Sequence, residues 1–393
     1  MKILLFKVDS CPGGYLNFLL NDCHDVFRGL GHMIEVFDLT RYKDSKEVAL
    51  RELMALIDRF HPDFAFLTGW DKIILEFLAS REIPYGDWVF DDPLLWNLSG
   101  FCSPYGYLFI ADRVWIERLK IEGINNAFYL PCAVNPRIYR EIELTEKDIK
   151  KYSCDVSFVG NSKYSYYKRH YLDELQRDNS REFQKVLEDS IKAFIENPLL
   201  EISDILEIAQ EKYHYFINFR SEIEREFFEL GLNFAASSLY RKEVVEKLAD
   251  LRIRIYGDDG WREWSRDGKI DFRGGIIHRE ELVKLYNACK INIGATLGQL
   301  RTAVTVRPFQ VSACGGFLID DYRHDLGRLF DLGKEMVCYR DKKELRELVE
   351  YFLKHPEERR EIAQRAKARV LKDHTFKQRM EEAVRILREA FNL

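Results

Sequence analysis

The sequence predicts an α/β protein of two domains. Each is a parallel sheet wound with helices, and the second is interrupted by a long helical insertion. Three observations carry this. Short apolar runs alternate with amphipathic stretches of helical spacing over residues 1–140. The same rhythm restarts at Cys154 and runs to the end. Between about 165 and 250 helical spacing continues with no strand signal. A chain of 393 residues also exceeds one ordinary core and suits two.

The elements follow in order. "KILLFKV" (2–8) is a strand. "GYLNFLLNDCHDVFRGLG" (14–31) is a helix ended by glycine, and "HMIEVFDL" (32–39) is the next strand. "SKEVALRELMALIDRFHP" (45–62) is an amphipathic helix stopped by Pro62, before the strand "DFAFLTGW" (63–70). A helix near 71–81, strands at 85–93 and 107–112, a helix over 113–123 and a strand at 127–134 complete the first domain, 1–140. A charged linker leads to the second domain, 151–375, which opens with "CDVSFVGN" (154–161). Its five insertion helices are clearest at 183–195 and 201–217. Strands at 251–261, 270–276, 291–296 and 335–339 then alternate with helices. Helices at 341–354, 356–374 and 376–391 close the chain, the last expected to cross back onto the first domain.

Composition removes several classes of function. Apolar residues are 46% and charged residues 32%, which suits a soluble globular protein. The net charge of -5 gives no general attraction to nucleic acid or anionic membrane, so any bound anion needs a local site. No apolar run reaches the roughly 20 residues of a spanning helix, and the N-terminus lacks the features of a signal peptide. Eight scattered cysteines form no CxxC pair, and the nine histidines form no HExxH. This predicts buried thiols in a reducing cytoplasm, with no metal and no cofactor.

In wound parallel sheets, ligands sit beyond the carboxyl ends of the strands, here in an expected cleft between the two domains. "VDSCPGGYLN" (8–17) turns through Gly13 and Gly14 into a helix, either a plain tight turn or an anion cradle. "VSFVGNSKYSYYKRH" (156–170) repeats the design with Gly160 and Asn161. Arg169 and its basic neighbours lie in reach of a ligand, or on a solvated helix face. "IYGDDGW" (255–261) sets Asp258 in a turn, as a ribose or metal contact or as a side-chain cap. "VFDDPLLW" (89–96) offers Asp91 and Asp92 as a general base for an acceptor hydroxyl, or as a proline-ended turn. In "VTVRPFQVSACGGFLIDDY" (304–322), Pro308 starts a helix of two turns and Gly315–Gly316 stops it. Arg307 and Thr305 stand at its mouth, where a forked cation suits phosphate, and Gln310 in the first turn suits ribose hydroxyls.

These segments resemble a known family. "IDFRGGIIHREELVKLYNACKINIGAT", "VRPFQVSACGGFLIDDYRHDLGRLF" with the helices after it, and "DVSFVGN" are similar to the GT-B glycosyltransferases, specifically the CgeB-like (spore maturation protein) branch of the family 1/4 group. "PGG…LGHMIEVFDL" echoes the variable acceptor-side domain of that family. The resemblance implies metal-independent sugar transfer from a nucleoside diphosphate-sugar to a carbohydrate, lipid or protein acceptor. It also implies two Rossmann-like domains and a diphosphate contact at Arg307. Two positions depart from the family pattern. Gln310 stands where a glutamate binds the donor ribose, and Thr302 where a second glutamate meets the donor sugar. Those departures leave open a non-catalytic sugar-nucleotide-binding or scaffold protein of the same fold. A sugar-nucleotide 2-epimerase would need a carboxylate–histidine cluster that the sequence does not display. An insertion with an apolar outer face would suit a homo-oligomer.

Overall fold

The computed structural model describes residues 1–7, 15–42, 45–69, 71–93, 103–197, 199–266, 268, 270–276 and 278–393. The chain divides into two compact units, Met1–Pro136 with Val370–Leu393, and Arg137–Arg369.

The first unit alternates β1 (Lys2–Lys7), α1 (Tyr15–Gly29), β2 (Met33–Asp38), α2 (Lys46–Phe60), β3 (Phe64–Leu67), α3 (Lys72–Ser80), β4 (Tyr85–Val89), β5 (Gly106–Ile110), α4 (Arg113–Ile121) and β6 (Ala127–Tyr129). The strands form one parallel sheet in the order β2-β1-β3-β4-β5-β6. Three helices begin at the polar residue that ends the preceding loop. The side chains of Ser45, Asp71 and Asp112 accept first-turn backbone N–H groups. The expected strand at 127–134 stops at Tyr129, close to Pro131, which has no N–H for a ladder.

The second unit contains α5 (Glu146–Tyr152) and β7 (Cys154–Val159), then the insertion. This runs α6 (Tyr164–Tyr167), a π-helical turn (Lys168–Leu172), α7 (Asp173–Arg177), α8 (Arg181–Glu196), α9 (Ile202–Tyr213) and α10 (Glu222–Glu246). The wound sheet resumes with β8 (Arg254–Tyr256), α11 (Gly260–Trp264), β9 (Asp271–Phe272), α12 (Arg279–Ala288), β10 (Cys289–Ile293), α13 (Arg307–Ala313), β11 (Leu318–Asp321), α14 (Leu326–Leu329), β12 (Val337–Tyr339), α15 (Lys342–Lys354) and α16 (Pro356–Asp373). α17 (Phe376–Phe391) belongs to the first unit. There Met380, Ala383 and Leu387 join the core of β1, β3, β4 and β5, and the Arg379 guanidinium donates to the carbonyls of Pro131 and Cys132.

The second sheet is also parallel, in the order β12-β11-β10-β7-β8-β9. From the adjacent centre strands β7 and β10 the chain winds outward in opposite directions, so the loops part at their carboxyl ends. The carboxyl-terminal half of α10 packs on this sheet through Val244 and Val245. Its amino-terminal half leaves the sheet and builds a separate core with α8 and α9, including Phe183, Leu187, Phe194, Leu206 and Leu232. The insertion therefore has its own hydrophobic support. Gly315, at φ +70°, adopts the left-handed conformation that ends α13.

Candidate active site

The carboxyl ends of β7 and β8 are knotted together. The Gly160 N–H donates to the Tyr256 carbonyl at 2.9 Å, and the Gly160 carbonyl accepts from Trp261 Nε1 at 2.7 Å. Asp258 takes the Ser162 N–H at 2.5 Å on one carboxylate oxygen and the Ser162 hydroxyl at 2.8 Å on the other. A Cβ on Gly257 would lie 2.2 Å from the Gly160 carbonyl oxygen, so only glycine lets the two turns meet. The Asp258 carboxylate, one candidate for a ribose or metal contact, is thus committed to shaping the neighbouring turn. Asn161 is exposed, and its Oδ1 accepts the Lys163 N–H at 2.7 Å.

Two arginines lie behind this turn. Arg241, from α10, is buried. Its Nε and one terminal nitrogen donate to the Ala295 carbonyl at 3.1 and 3.0 Å, and the other donates to the Asn161 carbonyl at 2.5 Å. It joins the ends of β7 and β10 as a clamp. Burial, then the Arg307 charge, brings its pKa down to about 9. Arg307 begins α13, where the resemblance implies a diphosphate contact, and its guanidinium turns inward. One nitrogen donates to the Val159 carbonyl, the other two are buried without a partner, and the group lies 5.5 Å from the centre of the Phe158 ring. The Val159 carbonyl and the apolar ring offer this side chain a resting place that helix position alone cannot reveal.

Asp321 and Asp258 act on Arg241, and Asp320, fully buried on β11, faces Arg307. Burial pushes the Asp320 pKa up, the adjacent Asp321 pushes it further, and Arg307 opposes the rise. Neither of its oxygens has a hydrogen-bond partner. Its neutral form is therefore favoured at pH values where an exposed carboxylate is charged, so it offsets less of the Arg307 charge than an ionised group would. Only Asn161 of residues 160–162 is exposed, and with two buried cations near it the turn is a candidate place for an anion.

The other expected residues are placed as follows. Gln310 lies half-buried in the first turn of α13, near this group in sequence. Arg169 is exposed on the π-helical turn. The Thr302 hydroxyl faces the Asp325 carboxylate at 3.3 Å, and its carbonyl accepts the Asp325 N–H. Asp91 and Asp92 belong to the first unit, after β4. Asp91 is exposed, whereas Asp92 is buried and pairs with Arg118 at 3.2 Å. Gly13 and Gly14 lie outside the described residues. Sequence reading missed Arg241, Ser162 and Asp320. Arg241 sits in "SSLYRKEVV", where nothing local separates a buried arginine from a surface one, and Asp320 was read only as the end of a strand. Among the described residues, no group of three or more His, Cys, Asp or Glu converges as a metal site would.

Residues 241–385 match the model of a family described as glycosyl transferase-like. No curated protein sequence matches the chain. Among solved structures, sucrose-phosphate synthase from Thermosynechococcus elongatus superposes with a TM-score of 0.58 at 9% identity, covering 100% of this chain and 99% of that one. Anabaena Alr3699/HepE in complex with UDP gives 0.57 at 10%, covering 99% and 100%. A glycosyltransferase from Rickettsia africae gives 0.58 at 10%, covering 99% and 98%. The two parallel sheets have the GT-B fold of the glycosyltransferases, and the stretch from α10 into α17 is glycosyltransferase-like in sequence.

Proposed function

We propose that the chain is a glycosyltransferase whose second unit binds a nucleoside diphosphate-sugar at the turn after β7. The observation that carries this reading is the Arg241–Arg307 pair behind that turn, within or beside a stretch matching the family. Similar structures determined with UDP and with UDP-glucose make uridine the first base to test.

In this reading the donor diphosphate approaches the turn at Gly160 and the exposed Asn161, and Gln310 bonds the ribose. The bond between the anomeric carbon and the β-phosphate oxygen breaks, and that oxygen keeps the electron pair. The two buried guanidinium groups already point their field at the turn. They stabilise the developing charge without reorganising, an effect worth several kcal/mol in comparable sites. No metal is assigned a role. An acceptor hydroxyl from a carbohydrate, lipid or protein attacks the anomeric carbon, with Asp91 taking its proton if the configuration inverts. We place the protein in the CgeB-like branch and in the cytoplasm, where its six described free thiols would stay reduced. Ile208, Phe216, Ile223 and Phe227 are exposed on the insertion and suit a homo-oligomer, which sizing the protein with and without Phe227→Glu would detect.

Thermal shift with UDP, GDP, dTDP and ADP tests the donor site. A nucleotide at 100 times its Kd adds about 2.7 kcal/mol of stability. One nucleotide should raise Tm in the wild type and fail to do so in Arg307→Ala. No shift with any of them refutes donor binding and leaves a scaffold on the same fold.

A further inference from the structure

We propose that the insertion roofs a second ligand site in the second unit, built for a free sugar or sugar phosphate and separate from the turn after β7. A cavity of about 340 Å³ lies between the carboxyl end of α8, the middle of α10 and the loops after β10, β11 and β12. Its volume falls at the lower end of small-molecule sites, which span about 300–1,000 Å³. Gly160, Asn161, Asp258 and Arg307 are not among its lining residues.

The lining combines aromatic surface with paired polar groups. Asp321 is 4% exposed and Arg323 is 6% exposed. One Asp321 oxygen accepts from the Thr296 N–H at 2.9 Å and hydroxyl at 2.8 Å, and the other meets the Arg323 guanidinium at 3.1 Å. The Arg323 Nε–H is buried with no acceptor. A buried donor left unpaired costs about 1–3 kcal/mol, so this one marks a place for an oxygen that a ligand would bring. Tyr240 donates its hydroxyl to Tyr339 at 3.2 Å, Tyr339 donates on to the Gly294 carbonyl at 2.8 Å, and both residues line the wall. At the rim, the Arg340 guanidinium lies 4.6 Å over the Tyr322 ring, with the exposed His324 beside it.

Donors and acceptors together, set among tyrosine rings, match the alternating hydroxyls and apolar faces of a pyranose. They do not match a purely apolar or purely anionic molecule. The rim cation suits a phosphate attached to that sugar but is not needed for the ring itself. The insertion supplies one wall of this space: Phe194 and Asn197 come from α8 and its cap, and Ala236 and Ser237 from α10. This gives the insertion a role beyond its own core.

The test is calorimetric titration of the full chain with glucose and with glucose 6-phosphate, each with and without saturating UDP. The expected result is saturable binding of at least one of them, unchanged by UDP and weakened about tenfold or more by Tyr322→Ala and by Arg323→Met. Tyr322 is partly exposed, so its variant keeps the test valid if removal of Arg323 prevents folding. Arg340→Glu separates the two ligands: it abolishes the preference for the phosphate if the phosphate sits at the rim and leaves glucose unaffected. Absence of binding by either sugar at millimolar concentration overturns the proposal. So does displacement of the sugar by UDP-glucose but not by UDP, which would make this the donor sugar's own pocket. UDP binding in the same cell reports on the donor site independently, so each reading can fail alone.

Discussion

Replacing Asp87 by asparagine should remove a pH dependence that the wild-type protein carries. Asp87 lies on β4 in the first unit and is fully buried. Burial raises its pKa from 3.8 to about 7, and the Gly69 backbone offsets only part of the rise. In the unfolded chain the group releases its proton near its ordinary pKa, and in the folded protein only near 7. Between those values the folded state holds a proton that the unfolded state has lost. Stability is therefore highest in acid and falls as pH rises through this window, levelling off above 7. Each pH unit well inside the window is worth about 1.36 kcal/mol and the slope halves at pH 7, so this group alone should take about 2 kcal/mol from the wild type between pH 5 and pH 7. The asparagine side chain is nearly isosteric and does not titrate. Its buried amide has its own cost, about 1–3 kcal/mol, but that offset is the same at every pH. The measurement is urea unfolding of both proteins from pH 5 to pH 8, followed by fluorescence of the buried tryptophans. The informative quantity is the difference between the two curves, which should shift in favour of the variant by about 2 kcal/mol between pH 5 and pH 7. Parallel curves would show that the carboxyl group ionises in the folded state as it does in water, and the argument from burial would fail.

Four further outcomes follow from the geometry. Gly257→Ala places a methyl group 2.2 Å from the Gly160 carbonyl, and pushing the two turns apart should abolish the UDP thermal shift while costing about 1–3 kcal/mol. Arg241→Met exchanges a buried cation for an apolar side chain but strands the Ala295 and Asn161 carbonyls, so nucleotide affinity, measured by titration, should fall more than Tm does. Asp91→Asn should reduce sugar transfer with almost no change in Tm, because Asp91 is exposed. Asp92→Asn should lower stability by about 1 kcal/mol, because it breaks a partly buried pair with Arg118.

The winding of both sheets was readable because strand and helix periods are local. "KILLFKV" and "CDVSFVGN" show their strands directly, and the helices after Ser45 and Asp71 announce their first turns through side chains that cap them. Strand ends were less readable. The stretches at 251–261 and 270–276 shrink to three and two paired residues, because pairing stops where the neighbouring strand turns away. Neighbouring strands are not visible in a local pattern. The turn residues Gly160, Asn161 and Asp258 were found because turn chemistry is also local. Their hydrogen-bond partners were not, since Ser162 and Asp258 are far apart along the chain.

The sequence by itself determined the fold class, the helical insertion and the loops in which a diphosphate site was to be sought, because periodicity, caps and glycine turns act over a few residues. Only the tertiary structure decided which way Arg307 faces and which arginine stands beside it. It also decided that Asp258 is occupied by Ser162, and that the insertion encloses a cavity. The physical reason is common to all four. Each depends on burial and on partners brought from distant strands. An arginine in a sequence is only a positive charge, and its direction is set by whichever carbonyl, ring or carboxylate the fold delivers to it.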